Sequence, residues 1–424
     1  MMKLIMRITV LSLLVLLLAS ICPAQNHFYL KDGDRVVFYG DSITAQRLYT
    51  VFTETYVVTR FPSLNVSFVH SGWGGDRVTG GGGGDIELRL KRDVFAYKPT
   101  VMTIMLGMND GGYKAFDADL FRAYSTGYRH IVDEAKSALP GVRITAIEPS
   151  PFDDVTRPPN FEGGYNAVLL RYSQFIMDLG NEDTLTVADL NGPVVAALEK
   201  AKSLDADLSQ RILPDRVHPG PSGHWVMAEG LLKAWHAPAV VTEVEIDAAS
   251  GRVSHSENTN VSDLKKETVL SWTQLDNALP LPISFDNKET ALVVRSSDLI
   301  QALDREELRV KGLAPGTYAL KIDGDDVGKF SNDEFSAGIN LAILATPMLK
   351  QARAVHELTL DHNDLHAARW HNLQVPFQTD PLPHQELGLQ TMDNLEAEIV
   401  QRQHAAAQSK PHHYELIQSA KEDR

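Results

Sequence analysis

The sequence predicts an α/β fold: a three-layer α/β/α domain on a parallel sheet, followed by a small β-rich module and C-terminal helices. Three observations predict it. From Val36 to about Trp235 short apolar runs alternate with helical stretches, which implies a parallel sheet covered on both faces. Near Pro238 the texture changes to short runs punctuated by turn residues, as in antiparallel strands. From Thr346 the pattern becomes helical again.

The chain opens with MMKLIMRITVLSLLVLLLASICPAQ, in which Lys3 and Arg7 precede an apolar run that closes on small residues near Ala24. That is the pattern of a secretory signal peptide, and the run is short for a bilayer span. Residues 1–24 are read as this signal, cleaved near Ala24, so a secreted or periplasmic protein with no integral membrane span is expected. Cys22, the single cysteine, lies inside the signal, which removes disulfide and thiol chemistry from the exported chain. Ile21 is a poor residue to precede a lipidated cysteine. Loss of Lys3 and Arg7 takes the formal charge from -15 to -17, and such a balance offers no basic footprint for nucleic acid or anionic lipid.

In the first domain, residues 25–239, the runs RVVFY, NVSFV, TVMTIML and VRITAI read as strands. Between the last two, DLFRAYSTGYRHIVDEAKSALPG places Leu120, Tyr124, Tyr128, Ile131, Val132 and Ala135 on one helical face and stops at Pro140 and Gly141. In the β-rich module, residues 240–345, VVTEVEID, ALVVRSS and LRVKGLAPGTYALKIDGDDVGKF read as strands, with turns at Pro315-Gly316 and in DGDD. In the last segment, residues 346–424, Thr346 and Pro347 start a helix. A second helix, NLEAEIVQRQHAAAQ, puts Leu395 and Ile399 on one face, and the last dozen residues read as a disordered tail.

Chemistry enters at VVFYGDSITAQ, where a buried-strand pattern stops at Gly40 and an acid and a hydroxyl follow. Ligands in parallel α/β sheets bind at the carboxyl ends of the strands, although a serine there is commonly just a helix N-cap. DRVHPG carries Asp215 and His218 three residues apart, close enough for the carboxylate to fix the imidazole tautomer and stabilise its cation. HSGWGGDR supplies Gly75, whose missing side chain lets a backbone N–H approach a ligand, and GMND supplies Asn109, whose amide can donate to an oxyanion.

Together and in this order, these segments resemble the SGNH (GDSL) hydrolase superfamily. Its blocks are present as Gly40-Asp41-Ser42, Gly75, Gly107-Met108-Asn109-Asp110 and Asp215-Arg216-Val217-His218. The resemblance spans about residues 34–235 and departs at Val69-His70, where the family often has Val-Asn. It implies Ser42 as nucleophile, His218 as base and Asp215 as the acid that orients it, with an oxyanion hole from Ser42, Gly75 and Asn109. No metal and no cofactor is required by such a scheme.

Asp41, Trp73, Met108 and Tyr113 flank these groups and are candidates to line the substrate pocket. The glycine run Gly80 to Gly84 lacks the Gly-Lys-Ser/Thr of a phosphate loop and reads as a flexible loop at the active-site edge. His224 reads as a helix residue, not as a second base. The expected protein is an exported serine esterase whose partner is a small-molecule or glycan ester, with acetyl the favoured acyl group. The alternatives are a lipase-like or phospholipase-like acylhydrolase and a non-catalytic glycan-binding protein on the same fold. The sequence assigns no oligomeric state.

Overall fold

A computed structural model describes residues 27–419; the signal peptide and Cys22 lie outside the described residues. Strands β1 (Arg35–Gly40), β2 (Ser67–Gly72), β3 (Val101–Met105), β4 (Arg143–Ile147) and β5 (Thr186–Ala188) form one sheet in the order β2-β1-β3-β4-β5. Every pairing in it is parallel. The four longer strands fall on the four apolar runs of the sequence, because strands covered on both faces are apolar throughout. The order reverses beside β1, and the crevice at such a reversal is where α/β sheets place ligands.

Helix α1 (Ser42–Ala45) follows β1 directly and α2 (Leu48–Arg60) continues it. All residues of α2 from Tyr49 to Arg60 are buried, so it is covered all round, as a core helix is. Helices α3 (Ile86–Asp93), α4 (Ala118–Ala138), α5 (Gly164–Asp183), α6 (Gly192–Leu204) and α7 (Pro221–Ala234) complete the layers. The buried face of α4 consists of Tyr124, Tyr128, Ile131, Val132 and Ala135; Leu120 of the expected face is only half-buried.

Beyond Pro238 come β6 (Val240–Asp247), β7 (Arg252–Glu257), β8 (Thr259–Lys266), β9 (Leu270–Asp276), α8 (Lys288–Ser296), α9 (Leu299–Leu303), β10 (Arg305–Lys311), β11 (Thr317–Ile322), β12 (Asp325–Ser331) and β13 (Ile339–Asn340). They are followed by α10 (Pro347–Ala367), a π-helical turn over Ala368–Gln374, α11 (Gln385–Ala406) and β14 (Pro411–Gln418). Two sheets result, β8-β9-β14-β11-β12 and β13-β10-β6-β7.

Three expectations are corrected here. ALVVRSS is the helix α8, capped by Asn287 on the Thr290 N–H, with Leu292 and Val293 buried. These two join Leu281, Ile283, Leu299 and Leu303 in the same core as the parallel sheet, so the chain between β9 and β10 packs on the first unit. The expected disordered tail contains most of β14, the middle strand of its sheet, with Tyr414 and Leu416 buried. Leu395 is exposed on α11; that helix turns a polar face inward, where Gln403 donates to Glu54 and Thr359.

Candidate active site

Strands β2, β1 and β3 end side by side, with Gly72, Gly40 and Met105 in register. The loops leaving these ends carry the candidate groups. Asp41 N-caps α1 by accepting the Ile43 N–H at 3.0 Å, which points the first helical residue, Ser42, out of the sheet. Ser42 Oγ lies 2.7 Å from His218 Nε2. His218 Nδ1 lies 2.7 Å from Asp215 Oδ2, and Asp215 Oδ1 accepts the backbone N–H groups of His218 at 2.7 Å and Val217 at 3.0 Å. Burial pushes the Asp215 carboxyl up, but the His218 and Val217 hydrogen bonds outweigh it and hold the group below the usual carboxylate range. Asp215 is therefore ionised at neutral pH.

The turn that presents Asp215 and His218 is strained at Arg216, whose φ is +74°. Its carbonyl accepts the Asp153 N–H at 2.9 Å, and its guanidinium donates to Pro158 O at 2.9 Å. The loop of residues 151–158 thus braces the His-bearing turn.

On the other side of Ser42, the Trp73 N–H donates to Gly40 O at 3.0 Å and the Asp76 N–H returns to Trp73 O at 3.2 Å. This is a tight turn with Gly75 at φ +77°, the geometry of the third position of a type II turn, which glycine satisfies without strain. A Cβ on Gly75 would meet nothing within 4 Å, so its backbone faces open space. Asn109 Nδ2 donates to Asp76 O at 3.0 Å, and its Oδ1 accepts the Tyr113 hydroxyl at 2.9 Å. The amide orientation is fixed, and one N–H is left to point elsewhere.

Of the four pocket candidates, two are corrected by burial. Asp41 is buried and pushed up to about 7 by desolvation, with its carboxylate engaged as the α1 cap. Met108 is 1% exposed and packs in the core. Trp73 is half-buried and Tyr113 is 44% exposed, so both remain accessible. The glycine run is ordered as a short ribbon, Gly80–Gly81 against Gly84–Asp85, not a flexible loop. It sits on Trp73 so closely that a Cβ on Gly83 would lie 2.7 Å from the indole. His224 is buried in α7, its Nδ1 accepting the Tyr49 N–H at 3.2 Å, and desolvation brings it down to about 3.

The departure at His70 has a structural use. Its ring bridges Thr50 Oγ1 at 2.6 Å and Glu54 Oε2 at 3.0 Å, tying β2 to α2. The sequence reading missed a second group of residues behind the Gly75 turn, Arg89, Asp93 and Trp370. The available signal was the Arg-x-x-Arg-Asp run in LRLKRDV, which puts charges on the buried face of α3.

A cavity of about 530 Å³ opens at Ser42, lined by Ala45, Gln46, Pro214, Asp215, His218 and Pro219. A larger, more apolar one of about 630 Å³ lies between α3 and the Gln374–Leu389 stretch. It holds none of the candidate groups, whereas Ser42, Asp215 and His218 line the smaller one.

Residues 38–226 match the model of the GDSL-like lipase/acylhydrolase family. An acetylxylan esterase of Geobacillus stearothermophilus is 24% identical over 226 residues, 47% of this chain and 93% of the relative. A solved structure of that organism's acetylxylan esterase covers 50% of this chain and 97% of its own, at 22% identity and a TM-score of 0.40. The solved structure of a gut microbial diltiazem-metabolizing enzyme covers 93% of this chain and 100% of its own, at 24% identity and a TM-score of 0.79, so the same fold, extension included, recurs there. Residues 38–226 are thus a GDSL-like lipase/acylhydrolase domain of the SGNH hydrolase type, and the chain is a carboxylic ester hydrolase.

Proposed function

We propose that the protein is an exported serine esterase that removes a short acyl group, acetyl above all, from a carbohydrate or small-molecule ester. The observation that carries the reading is the unbroken Ser42–His218–Asp215 chain, with 2.7 Å at each link, at the strand ends where such sheets bind ligands.

In the first half-reaction His218 Nε2 takes the Ser42 proton as Oγ attacks the ester carbonyl carbon. The negative charge that develops on the carbonyl oxygen is met by the N–H groups of Ser42 and Gly75 and the free N–H of Asn109. The tetrahedral adduct collapses as His218 returns the proton to the departing alkoxide, leaving acyl-Ser42 and the free alcohol. Water, deprotonated by the same imidazole, then attacks the acyl carbon, and the carboxylic acid leaves as Ser42 regains its proton. Asp215 stays ionised and stabilises the imidazolium in each half.

Support for a short acyl group comes from the lining of the Ser42 cavity, in which Ala45, Gln46, the Pro214 and Pro219 rings and Gly220 offer no long apolar surface. The likeness to an acetylxylan esterase points the same way. Export rests on Lys3, Arg7 and the apolar run ending near Ala24; no helix among the described residues is long and apolar enough to cross a membrane.

Purified protein assayed on p-nitrophenyl esters from C2 to C16, on acetylated xylooligosaccharides and on diltiazem tests the reading, with Ser42→Ala as control. Hydrolysis that falls with chain length and vanishes in Ser42→Ala is expected. A rate that rises toward C16, or survives in folded Ser42→Ala, would overturn it.

A further inference from the structure

Behind the Gly75 turn lies a closed network of charges with no contact to Ser42. Arg89, Asp76 and Asp93 are all fully buried. Arg89 donates from Nε to Asp76 Oδ2 at 2.7 Å, from Nη2 to Ser71 O at 2.8 Å and from Nη1 to Asp93. Arg92 donates to both Asp93 oxygens, at 2.7 and 2.6 Å, and to Gly83 O at 2.9 Å. The two cations and two carboxylates balance, which is the condition for burying them. The remaining donor comes from the far end of the chain, where the Trp370 indole N–H reaches Asp93 Oδ1 at 2.7 Å. The Trp370 ring also stands edge-to-face on Trp73, centroids 5.3 Å apart, and the Arg89 guanidinium lies within 5.5 Å of both rings.

Asp76 is where this network meets the chemistry. Its N–H closes the Gly75 turn on Trp73 O, and its carbonyl holds the Asn109 amide. Two of the three oxyanion donors are therefore set by the position of one residue. That residue is clamped by Arg89, which is clamped by Asp93, which is completed by Trp370.

We propose that Trp370 is a positioning residue for the oxyanion hole, so that the C-terminal helical extension sets the turnover of a site to which it brings no reacting group. The proposal rests on the oxyanion hole described above. It makes the extension part of the machinery through one hydrogen bond and one aromatic contact. Loss of the indole N–H leaves Asp93 short of a donor in a dry site, and Arg89 and Asp76 relax toward it. The Gly75 and Asn109 N–H groups then miss the developing charge by a few tenths of an ångström, a distance that matters for preorganised donors.

The test is Trp370→Phe, which keeps an aromatic ring and removes the N–H, in the full chain with p-nitrophenyl acetate. The expected result is a fall in kcat of about 10-fold with KM within about 2-fold, a fraction of the roughly 100- to 1000-fold that outright loss of a donor costs. In an Asn109→Ala background the same substitution should cost less than about 3-fold, because the two act on one element. The same 10-fold loss in both backgrounds, or a KM effect alone, overturns the proposal. Trp370→Phe with unchanged kcat does so too. If Trp370→Phe unfolds the chain, Arg92→Lys, which leaves Arg89 and the indole in place but weakens the hold on Asp93, must show the same kcat loss and the same dependence on Asn109. Failure of the underlying reading is separately visible, since Asn109→Ala alone would then leave kcat intact.

Discussion

The carboxylate of Asp215 holds His218 at two points, Oδ2 on the ring Nδ1 and Oδ1 on the backbone N–H, each at 2.7 Å. One four-residue turn thus fixes both the position of the histidine and the tautomer that leaves Nε2 free as an acceptor facing Ser42 Oγ.

Asp215→Asn should break the second function and spare the first. An amide oxygen can still accept the backbone N–H, but its NH₂ group then faces Nδ1, and the proton moves to Nε2, where it blocks the base. A fall in kcat of about 1000-fold or more is expected, with unchanged far-UV circular dichroism. Activity within 10-fold of the parent would remove Asp215 from the mechanism.

Asn109→Ala removes one of the three donors of the proposed oxyanion hole and the acceptor of the Tyr113 hydroxyl. Turnover of p-nitrophenyl acetate should drop by about 100- to 1000-fold with little change in KM. Tyr113→Phe, which only frees the Asn109 amide to rotate, should cost far less. Equal losses in the two variants would show that Tyr113 itself touches the substrate.

A buried polar cluster joins the hydrolase unit to the terminal helices. Glu54 accepts from His362 Nδ1 at 2.9 Å, from Asn363 at 3.1 Å and from Gln403 at 3.0 Å, and contacts His70. Burial would raise Glu54 and lower His362, but their mutual attraction wins, so Glu54 lies well below and His362 well above its ordinary value. The depressed Glu54 contributes stability that is present above its unfolded value of about 4.3 and is lost as pH falls through the folded one. The raised His362 contributes stability that is complete below about 6.5 and is lost as pH rises through its folded value. Urea unfolding should therefore show a plateau between about pH 4.3 and 6.5, with stability falling on both sides of it. Glu54→Gln should lower that plateau by about 3–5 kcal/mol, the cost of leaving one partner of a buried pair alone. A variant as stable as the parent at pH 7 would show that the pair contributes nothing net.

Removing everything after Ala239 strips α8 and α9 from the first core, exposing the surfaces that Leu281, Ile283, Leu292, Val293, Leu299 and Leu303 cover. Each deleted buried leucine or isoleucine costs about 2–5 kcal/mol, so the truncated chain should be insoluble or unfolded and inactive. Cutting after Leu303 keeps these contacts and should give more soluble protein. A soluble, active chain ending at Ala239 would show that the first unit folds without them.

What the sequence disclosed follows the physics of each element. The parallel strands were legible because burial on both faces leaves unbroken runs such as TVMTIML. Helix α2 was not, since its thirteen residues LYTVFTETYVVTR include four Thr and three Val, which carry no helical preference, and only its covering on all sides makes it a helix. ALVVRSS misled for the same reason, its β-branched residues being overruled by the Asn287 cap and by packing. The Ser42, Gly75, Asn109 and Asp215–His218 segments were legible because each is short and contiguous. The Trp370–Asp93 contact joins residues 277 apart, and nothing local announces it. In the final strand the alternation of His412, Tyr414 and Leu416 was a readable signal, masked by the polar residues between them.

That strand has a consequence for how the molecule is made. β14 lies between β9 and β11, yet it follows every other strand in the sequence and so leaves the ribosome after all of them. Until it arrives, β9 and β11 each present an unpaired edge, and the pairing that joins them spans well over a hundred residues of chain on the β9 side. Long-range pairings of this kind form slowly and leave edges open to other chains meanwhile. The parallel sheet, whose strands end at Ala188, is under no such delay. Newly made protein should therefore pass through a state with the hydrolase sheet assembled and the second sheet split in two. It is in that interval, not in the finished fold, that the chain is most exposed to aggregation.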